Sequence, residues 1–282
     1  MLTCNKNQIC VLMVNSPNIP LYAHKSAINN YLYCVKYGYA FIVERCPDIN
    51  DLDKDYMWDP SNEYLLVWSK PILVKRHLHN YEYLLIIDSD AIFIDFEKSL
   101  DYLINTYFTN DDICIIAGGD CFNSSTCWGA KDDLNAGVML FKNIPKTFEI
   151  LNNWYEAANN ECIDWKYQHP REQQCLNILK SKYNNNIKVI PHYEMNGVDG
   201  IYIRHYLNNN VHSANDRNNY IDNYLQINYK NFTNETLPKN IENYTNIDNY
   251  TNIDNDDNNN NNQILLLVII VIIILSYYYY KK

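Results

Sequence analysis

A chain of 282 residues, 47% hydrophobic and 20% charged, is long enough to bury one substantial core with appendages. Its formal net charge of -10 argues against an electrostatic grip on nucleic acid, which needs a basic patch, so no nucleic acid partner is expected and any bound phosphate should be bridged by metal. The nine cysteines contain no Cys-x-x-C pair or close Cys/His set of the kind that holds zinc, and most read as small core residues. A Cys121–Cys127 disulfide stays open if the domain faces an oxidising compartment.

In chain order, Met1 to Gln8 lacks the apolar stretch of a signal peptide. Residues 9–14 read as a first strand, ending in Asn15 and Ser16, where a nucleotide base or ribose could rest above a sheet. Residues 24–36 place Ala27, Ile28, Tyr31, Leu32 and Val35 on a helical stripe, with Gly38 positioned to end it. A second strand is expected over 39–43. A helix follows over 62–78, interrupted or bent near Pro71. Residues 83–87, Tyr-Leu-Leu-Ile-Ile, form a run rich in β-branching that fits a strand covered on both faces. Further strands are predicted over 113–117, 138–141, 187–190 and 201–205, and helices over 146–158 and 171–182. This alternation predicts one α/β domain over residues 1–210 with a largely parallel sheet and crossover helices.

Past residue 208 the composition turns to Asn, Asp, Tyr and Thr, with a tandem Asn-Tyr-Thr-Asn-Ile-Asp at 243–248 and 249–254. Residues 211–262 are expected to form a disordered tether. Asn231, Asn234, Asn243 and Asn249 each open an Asn-x-Thr sequon and Asn123 an Asn-x-Ser one; chance in an Asn-rich chain is the favoured source, against glycan attachment, which would need the lumenal side. Residues 264–275 are an unbroken aliphatic run, followed by Ser276, four tyrosines and two lysines. As a helix, residues 264–280 would extend about 25 Å, slightly short of the ~30 Å hydrocarbon core. Interfacial tyrosines and terminal lysines favour a single-pass C-terminal membrane anchor over 263–282, with the side of the membrane left open.

The chemistry concentrates where the strand over 83–87 ends in Asp88-Ser89-Asp90. Open α/β sheets bind ligands outside the carboxyl ends of their strands, so two carboxylates there are poorly explained by packing. Alternate residues of an extended segment face opposite ways, so both acids can meet one cation only if the chain turns as the strand ends. A hard divalent ion, Mg²⁺ or Mn²⁺, takes oxygen ligands and shares them with substrate phosphates. The plainer alternative is that the two acids end a strand and cap a loop.

Several motifs follow one another: Trp68-Ser69-Lys70, Asp88-Ser89-Asp90, Asp133-Leu134-Asn135-Ala136-Gly137-Val138, Arg171-Glu172-Gln173-Gln174, and finally Gly200 to His205. Over about residues 8–207 this succession resembles glycosyltransferase family 34, the fungal galactosyl- and mannosyltransferases and plant xyloglucan xylosyltransferases. Asp88-Ser89-Asp90-Ala91 is close to that family's metal motif. Residues 133–143, with Trp154 one helix later, are similar to its Leu-Asn-x-Gly strand and following Trp. Glu172-Gln173 stands where the family usually has Asp-Gln, and His205 matches a late metal-binding histidine. The family's membrane anchor is generally N-terminal, whereas the candidate here lies at the other end.

The resemblance implies a GT-A fold, Rossmann-like with a mostly parallel sheet flanked by helices. It also implies a UDP- or GDP-sugar donor, Mn²⁺ (or Mg²⁺), a glycan or glycoprotein acceptor, and retention of anomeric configuration. Asp90 and His205 would bind the ion, Asp88 the ion or the ribose, and Glu172 and Gln173 would face the donor. A mixed Asp/His site favours Mn²⁺ modestly over Mg²⁺. Lys70 and Arg204 are candidates for a fixed positive charge beside the diphosphate, against the alternative of solvated side chains. Asn135 is a candidate for sugar hydroxyls, against that of a loop amide bonding local backbone.

Two other functions compete. Haloacid-dehalogenase-like phosphatases also place Asp-x-Asp after a strand, and would make Asp88 the nucleophile and Asp90 the general acid/base. Against them, the motif follows a full strand-helix-strand-helix unit, and Ile92 stands where those enzymes prefer Thr or Val. The other competitor is a catalytically inactive sugar-binding GT-A protein. With no Gly-x-Gly-x-x-G or Gly-x-x-x-x-Gly-Lys loop, neither dinucleotide oxidoreduction nor P-loop hydrolysis is expected.

Overall fold

The computed structural model describes residues 8–15, 21–45, 67–120, 132–197, 199–206, 219–221, 223 and 224. The Cys121–Cys127 pair, most of the predicted tether and the apolar run 264–280 lie outside the described residues. Among the described residues no helix is long and apolar enough to cross a membrane.

Six strands form the main sheet: β1 (Ile9–Asn15), β2 (Ala40–Arg45), β3 (Tyr83–Asp88), β5 (Ile115–Gly119), β6 (Leu134–Lys142) and β7 (Ile187–Ile190), in the order β2-β1-β3-β6-β5-β7. Neighbours are parallel except around β6, which is antiparallel to both β3 and β5. The expected largely parallel sheet is therefore mixed. A buried strand reads as a continuous apolar run whichever way it points, so residues 134–142 carry no directional signal.

Covering the sheet are α1 (Leu21–Tyr37), α2 (Ser69–Leu78), α3 (Leu100–Tyr107), α4 (Pro145–Ala157) and α5 (Glu172–Lys180). Gly38, at φ 71°, ends α1 as anticipated, with the Tyr39 amide returning to the Cys34 carbonyl at 2.9 Å. Of the helix expected over 62–78, residues 62–66 lie outside the described residues, and α2 begins at Ser69, two residues before Pro71. This proline occupies the third position of α2, where the missing N–H would have had no intrahelical partner. The core between α2, α4, α5 and one face of the sheet holds Trp68, Leu73, Leu84, Ile86, Met139, Phe141, Ile150 and Trp154, all essentially inaccessible. Cys162 and Cys175 join in a disulfide that ties α5 to the turn after α4, while Cys10, Cys34 and Cys114 are buried free thiols.

A second, two-stranded sheet pairs β4 (Ala91–Phe93) with β8 (Ile203–His205) in antiparallel register, Ala91 opposite His205. It packs on α1 through Tyr33, whose ring stacks on Phe93 at 3.6 Å between centroids, and through Tyr202. Beyond residue 210, Ile221 is fully buried and Tyr220 stacks on Tyr206, so packing against β8 continues into the segment expected to be a tether.

Candidate active site

Topology delivers the polar residues to one edge. In a strand-helix-strand unit the carboxyl end of each parallel strand and the amino end of each following helix share a sheet edge. That edge receives Asn15 from β1, Asp88 from β3, Asp120 just past β5, Lys70 from the start of α2, and Glu172 and Gln173 from the start of α5. Because β6 runs the other way, its beginning, with Asn135, arrives there too.

Asp88, Asp90 and His205 form a group whose ligand atoms all lie within 4.8 Å of one another. The turn at Ser89 brings the two acids together as the sequence requires. His205 Nε2 stands 3.1 Å from Asp90 Oδ1 and 4.0 Å from Asp88 Oδ2. The imidazole is almost inaccessible, with Cε1 its nearest atom to Gly137 of β6. A Cβ at Gly137 would overlap His205 Cε1 and come within 2.8 Å of both ring nitrogens.

Asn196, in the turn after α6 (His192–Met195), decides which nitrogen faces the carboxylates. Its Nδ2 donates to the Gly119 carbonyl at 2.9 Å, so its Oδ1 is the atom 2.9 Å from His205 Nδ1. An acceptor on that side requires the proton on Nδ1, so that in the neutral ring the Nε2 lone pair is directed at Asp90. Two acceptors at 3.1 Å need a cation or a proton between them. The oxygen, oxygen and nitrogen donor set, with a lone pair turned inward, therefore fits a divalent ion of the Mn²⁺ or Mg²⁺ class.

Lys70 is buried behind this group. Its ammonium donates to Asp88 Oδ2 and to the Ala136 carbonyl, each at 3.1 Å, and pairs with Asp88 Oδ1 at 2.9 Å and Glu172 at 3.2 Å. Burial opposes the Lys70 charge, but Asp88 and Glu172 outweigh it and hold the ammonium above the ordinary lysine range. Burial pushes the Asp88 carboxyl up, against the pull of Lys70 and His205, and raises Glu172 against the pull of Lys70. All three Lys70 protons are thus engaged by protein groups.

Asp120 is a functional candidate that the sequence reading missed. Asn135 Nδ2 donates to its Oδ1 at 2.9 Å and Gln173 Nε2 to its Oδ2 at 3.1 Å. Asn135 and Gln173 are in turn fixed by the backbone amides of Gly137 and Ala136. Burial raises the Asp120 carboxyl, opposed by Asn135, His205 and Gln173. The signal that marked Asp88, an acid directly after an apolar strand, was present at Ile115-Ile116-Ala117-Gly118-Gly119-Asp120 as well.

Asn15 lies one residue beyond the level of Asp88, since Val14 is the register partner of Asp88. Its Oδ1 is buried with no hydrogen-bond partner among the described residues, which suits a donor supplied by a ligand. Arg204 is not brought into the group. It alternates with His205 along β8 and turns to Tyr224, donating to that hydroxyl and covering its ring at 5.0 Å. Arg171, directly before Glu172, holds a left-handed φ of 51°, a conformation that costs a non-glycine residue of order 1 kcal/mol or more.

Counting the convergent groups, Asp88, Asp90, Asp120 and Glu172 face one lysine and one histidine. Such a pocket repels a bare diphosphate and accepts one accompanied by a cation. Residues 27–235 match the family model of nucleotide-diphospho-sugar transferases. The chain belongs to the nucleotide-diphospho-sugar transferase family. The fold agrees. A glycosyltransferase involved in the glycosylation of the major capsid of PBCV-1 superposes with a TM-score of 0.59 at 17% identity, over 76% of this chain and 98% of that one. The apo-form glycosyltransferase GlyE of Streptococcus pneumoniae TIGR4 gives 0.51 at 13% identity, over 83% of this chain and 66% of that one. No curated protein sequence matches. The transferase is thus a glycosyltransferase with a GT-A fold, consistent with the likeness to family 34, and the phosphatase alternative is set aside by the family match.

Proposed function

We propose that the transferase is metal-dependent and moves a hexose or pentose from a UDP- or GDP-sugar to a glycan or protein acceptor, with retention. The observation that carries the metal dependence is the placement of His205 Nε2, turned by Asn196 toward Asp90 beside Asp88. Asp88, Asp90 and His205 would hold Mn²⁺ or Mg²⁺. When bound, such an ion neutralises charge that builds on a departing nucleoside diphosphate.

The chain's own residues do the rest. Lys70 keeps Asp88 and Glu172 in place by pairing with both, and prevents the two carboxylates from repelling each other. Asn135 and Gln173 orient Asp120, whose remaining lone pairs are available to sugar hydroxyls. Glu172 and Gln173, at the amino end of α5, would border the donor sugar, and Asn15 would receive the base or ribose. Arg204 would reach a diphosphate only by leaving Tyr224. Retention and the choice of UDP rest on the likeness to family 34. A C-terminal membrane anchor over 263–282 belongs to the same proposal and rests on the apolar run alone.

The test is a panel of UDP- and GDP-sugars incubated with the full chain, with Mn²⁺ and with chelator. Manganese-dependent release of UDP or GDP supports the reading. Equal release in chelator would remove the metal from it.

A further inference from the structure

Strand β4 directly follows Asp90 and is only three residues long, too short to hold a fixed place by itself. One of its edges is used by β8: the Tyr206 amide donates to the Asp90 carbonyl at 2.9 Å and the Ile94 amide to the Tyr202 carbonyl at 2.9 Å. By strand alternation the Ala91 carbonyl and Phe93 amide point to the opposite edge, where no third strand lies among the described residues. A side chain takes that strand's place. Asn30 of α1, itself fully buried, donates from Nδ2 to the Ala91 carbonyl at 3.0 Å and accepts the Phe93 amide on Oδ1 at 3.1 Å. Its neighbour Asn29 donates to the Phe93 carbonyl at 2.9 Å, two residues further from Asp90.

We infer that Asn30 is a positioning residue for the Asp90–His205 pair, and this rests on the metal-site reading proposed above. The amide closes the open edge of β4 as a neighbouring strand would. It thereby fixes the backbone at Ala91, the register partner of His205 and the next residue after Asp90. Hydrophobic residues at this place in α1 would bury the helix equally well but leave the Ala91 carbonyl and Phe93 amide without partners. The gap between Asp90 Oδ1 and His205 Nε2 is set by where these two short strands sit, so loosening β4 widens the spread of that distance.

Direct Mn²⁺ binding to the full-length, metal-free protein, read from the electron paramagnetic resonance signal of the free ion, tests the inference without turnover. Asn30→Asp keeps size but turns an acceptor toward the Ala91 carbonyl, and Asn30→Ser keeps a donor and an acceptor on a shorter arm. Both are expected to weaken Mn²⁺ binding about tenfold, the low end of what outer-sphere partners contribute. KM for the donor at saturating Mn²⁺ should stay within about twofold, a split that general destabilisation does not produce. Asn29→Ala, which also removes a buried hydrogen bond to β4, is expected to leave Mn²⁺ binding within about twofold.

Asp90→Asn is the control for the underlying reading, and unchanged Mn²⁺ binding there removes the metal site and this inference with it. If Asp90→Asn loses binding while folded Asn30 variants bind like the wild type, only the role of Asn30 is overturned. Equal losses for Asn29→Ala and the Asn30 variants, or failure of both Asn30 variants to fold, make Asn30 a stability residue and also overturn it.

Discussion

The two sheets of this transferase are held by different physics. The six-stranded sheet is sealed by apolar side chains, with Leu84 to Ile87 and Met139 to Phe141 fully buried in adjacent strands. The two-stranded sheet, besides its aromatic packing, is held by polar groups of α1: Asn29 and Asn30 bond to β4, and the Tyr33 hydroxyl bonds to Tyr202, just before β8, and to the Lys98 carbonyl. Apolar packing is non-directional and supplies stability, while hydrogen bonds fix position to a few tenths of an ångström. The candidate metal ligands follow this division. Asp88 ends a strand of the large sheet, whereas Asp90 and His205 belong to the small one.

Four substitutions break or sharpen that contrast. Asp90→Asn removes one charged ligand at constant size, and turnover should fall by roughly two to three orders of magnitude, as when a main charge-stabilising group is lost. The thermal midpoint should hold, and retained activity in the purified variant would defeat the assignment of Asp90. Gly137→Ala pushes the imidazole of His205 off β6, and Mn²⁺ affinity measured by titration should drop about 10–100-fold. An unchanged affinity would mean that His205 is not a ligand.

Leu140→Ala, in the middle of the large sheet, should cost about 2–5 kcal/mol in denaturant unfolding while kcat of the folded protein is preserved. A loss of kcat larger than the loss of folded protein would show the two sheets to be coupled. The smallest effect is expected from Tyr33→Phe, which deletes hydrogen bonds to the Lys98 carbonyl and the Tyr202 hydroxyl. Unfolding should become easier by about 1–2 kcal/mol, with KM for the donor unchanged. A stability equal to wild type would show that the phenol pair adds nothing.

Legibility in the sequence follows the same line. Strands and helices of the large sheet were readable because burial imprints apolar runs and stripes on the residues, from Ile9 to Ile190. Asp88, Asp90 and His205 stood out as polar groups ending such runs, and the structure brings them together. Strand β4, α3 and α6 were missed: β4 follows β3 after a two-residue turn and merges with its apolar run, and α3 and α6 span too few turns to show a helical stripe. The partners of His205 were equally hidden. Nothing local marks Asn196, Gly119 or Gly137 as neighbours of a residue on β8, since the crossings that join them are set by topology. Arg204 was a candidate positive charge for the diphosphate, against a solvated side chain, and strand alternation turns it to Tyr224. The Cys162–Cys175 bridge spans 13 residues across a turn, a spacing with no signature of its own.

Anomalous scattering from crystals of the full-length transferase soaked with manganese and UDP addresses the metal site most directly. The predicted map has one Mn²⁺ peak within bonding distance of Asp88 or Asp90 and of His205 Nε2, with diphosphate oxygens completing its shell. UDP bound with no peak at those side chains, or a peak elsewhere, would contradict the account.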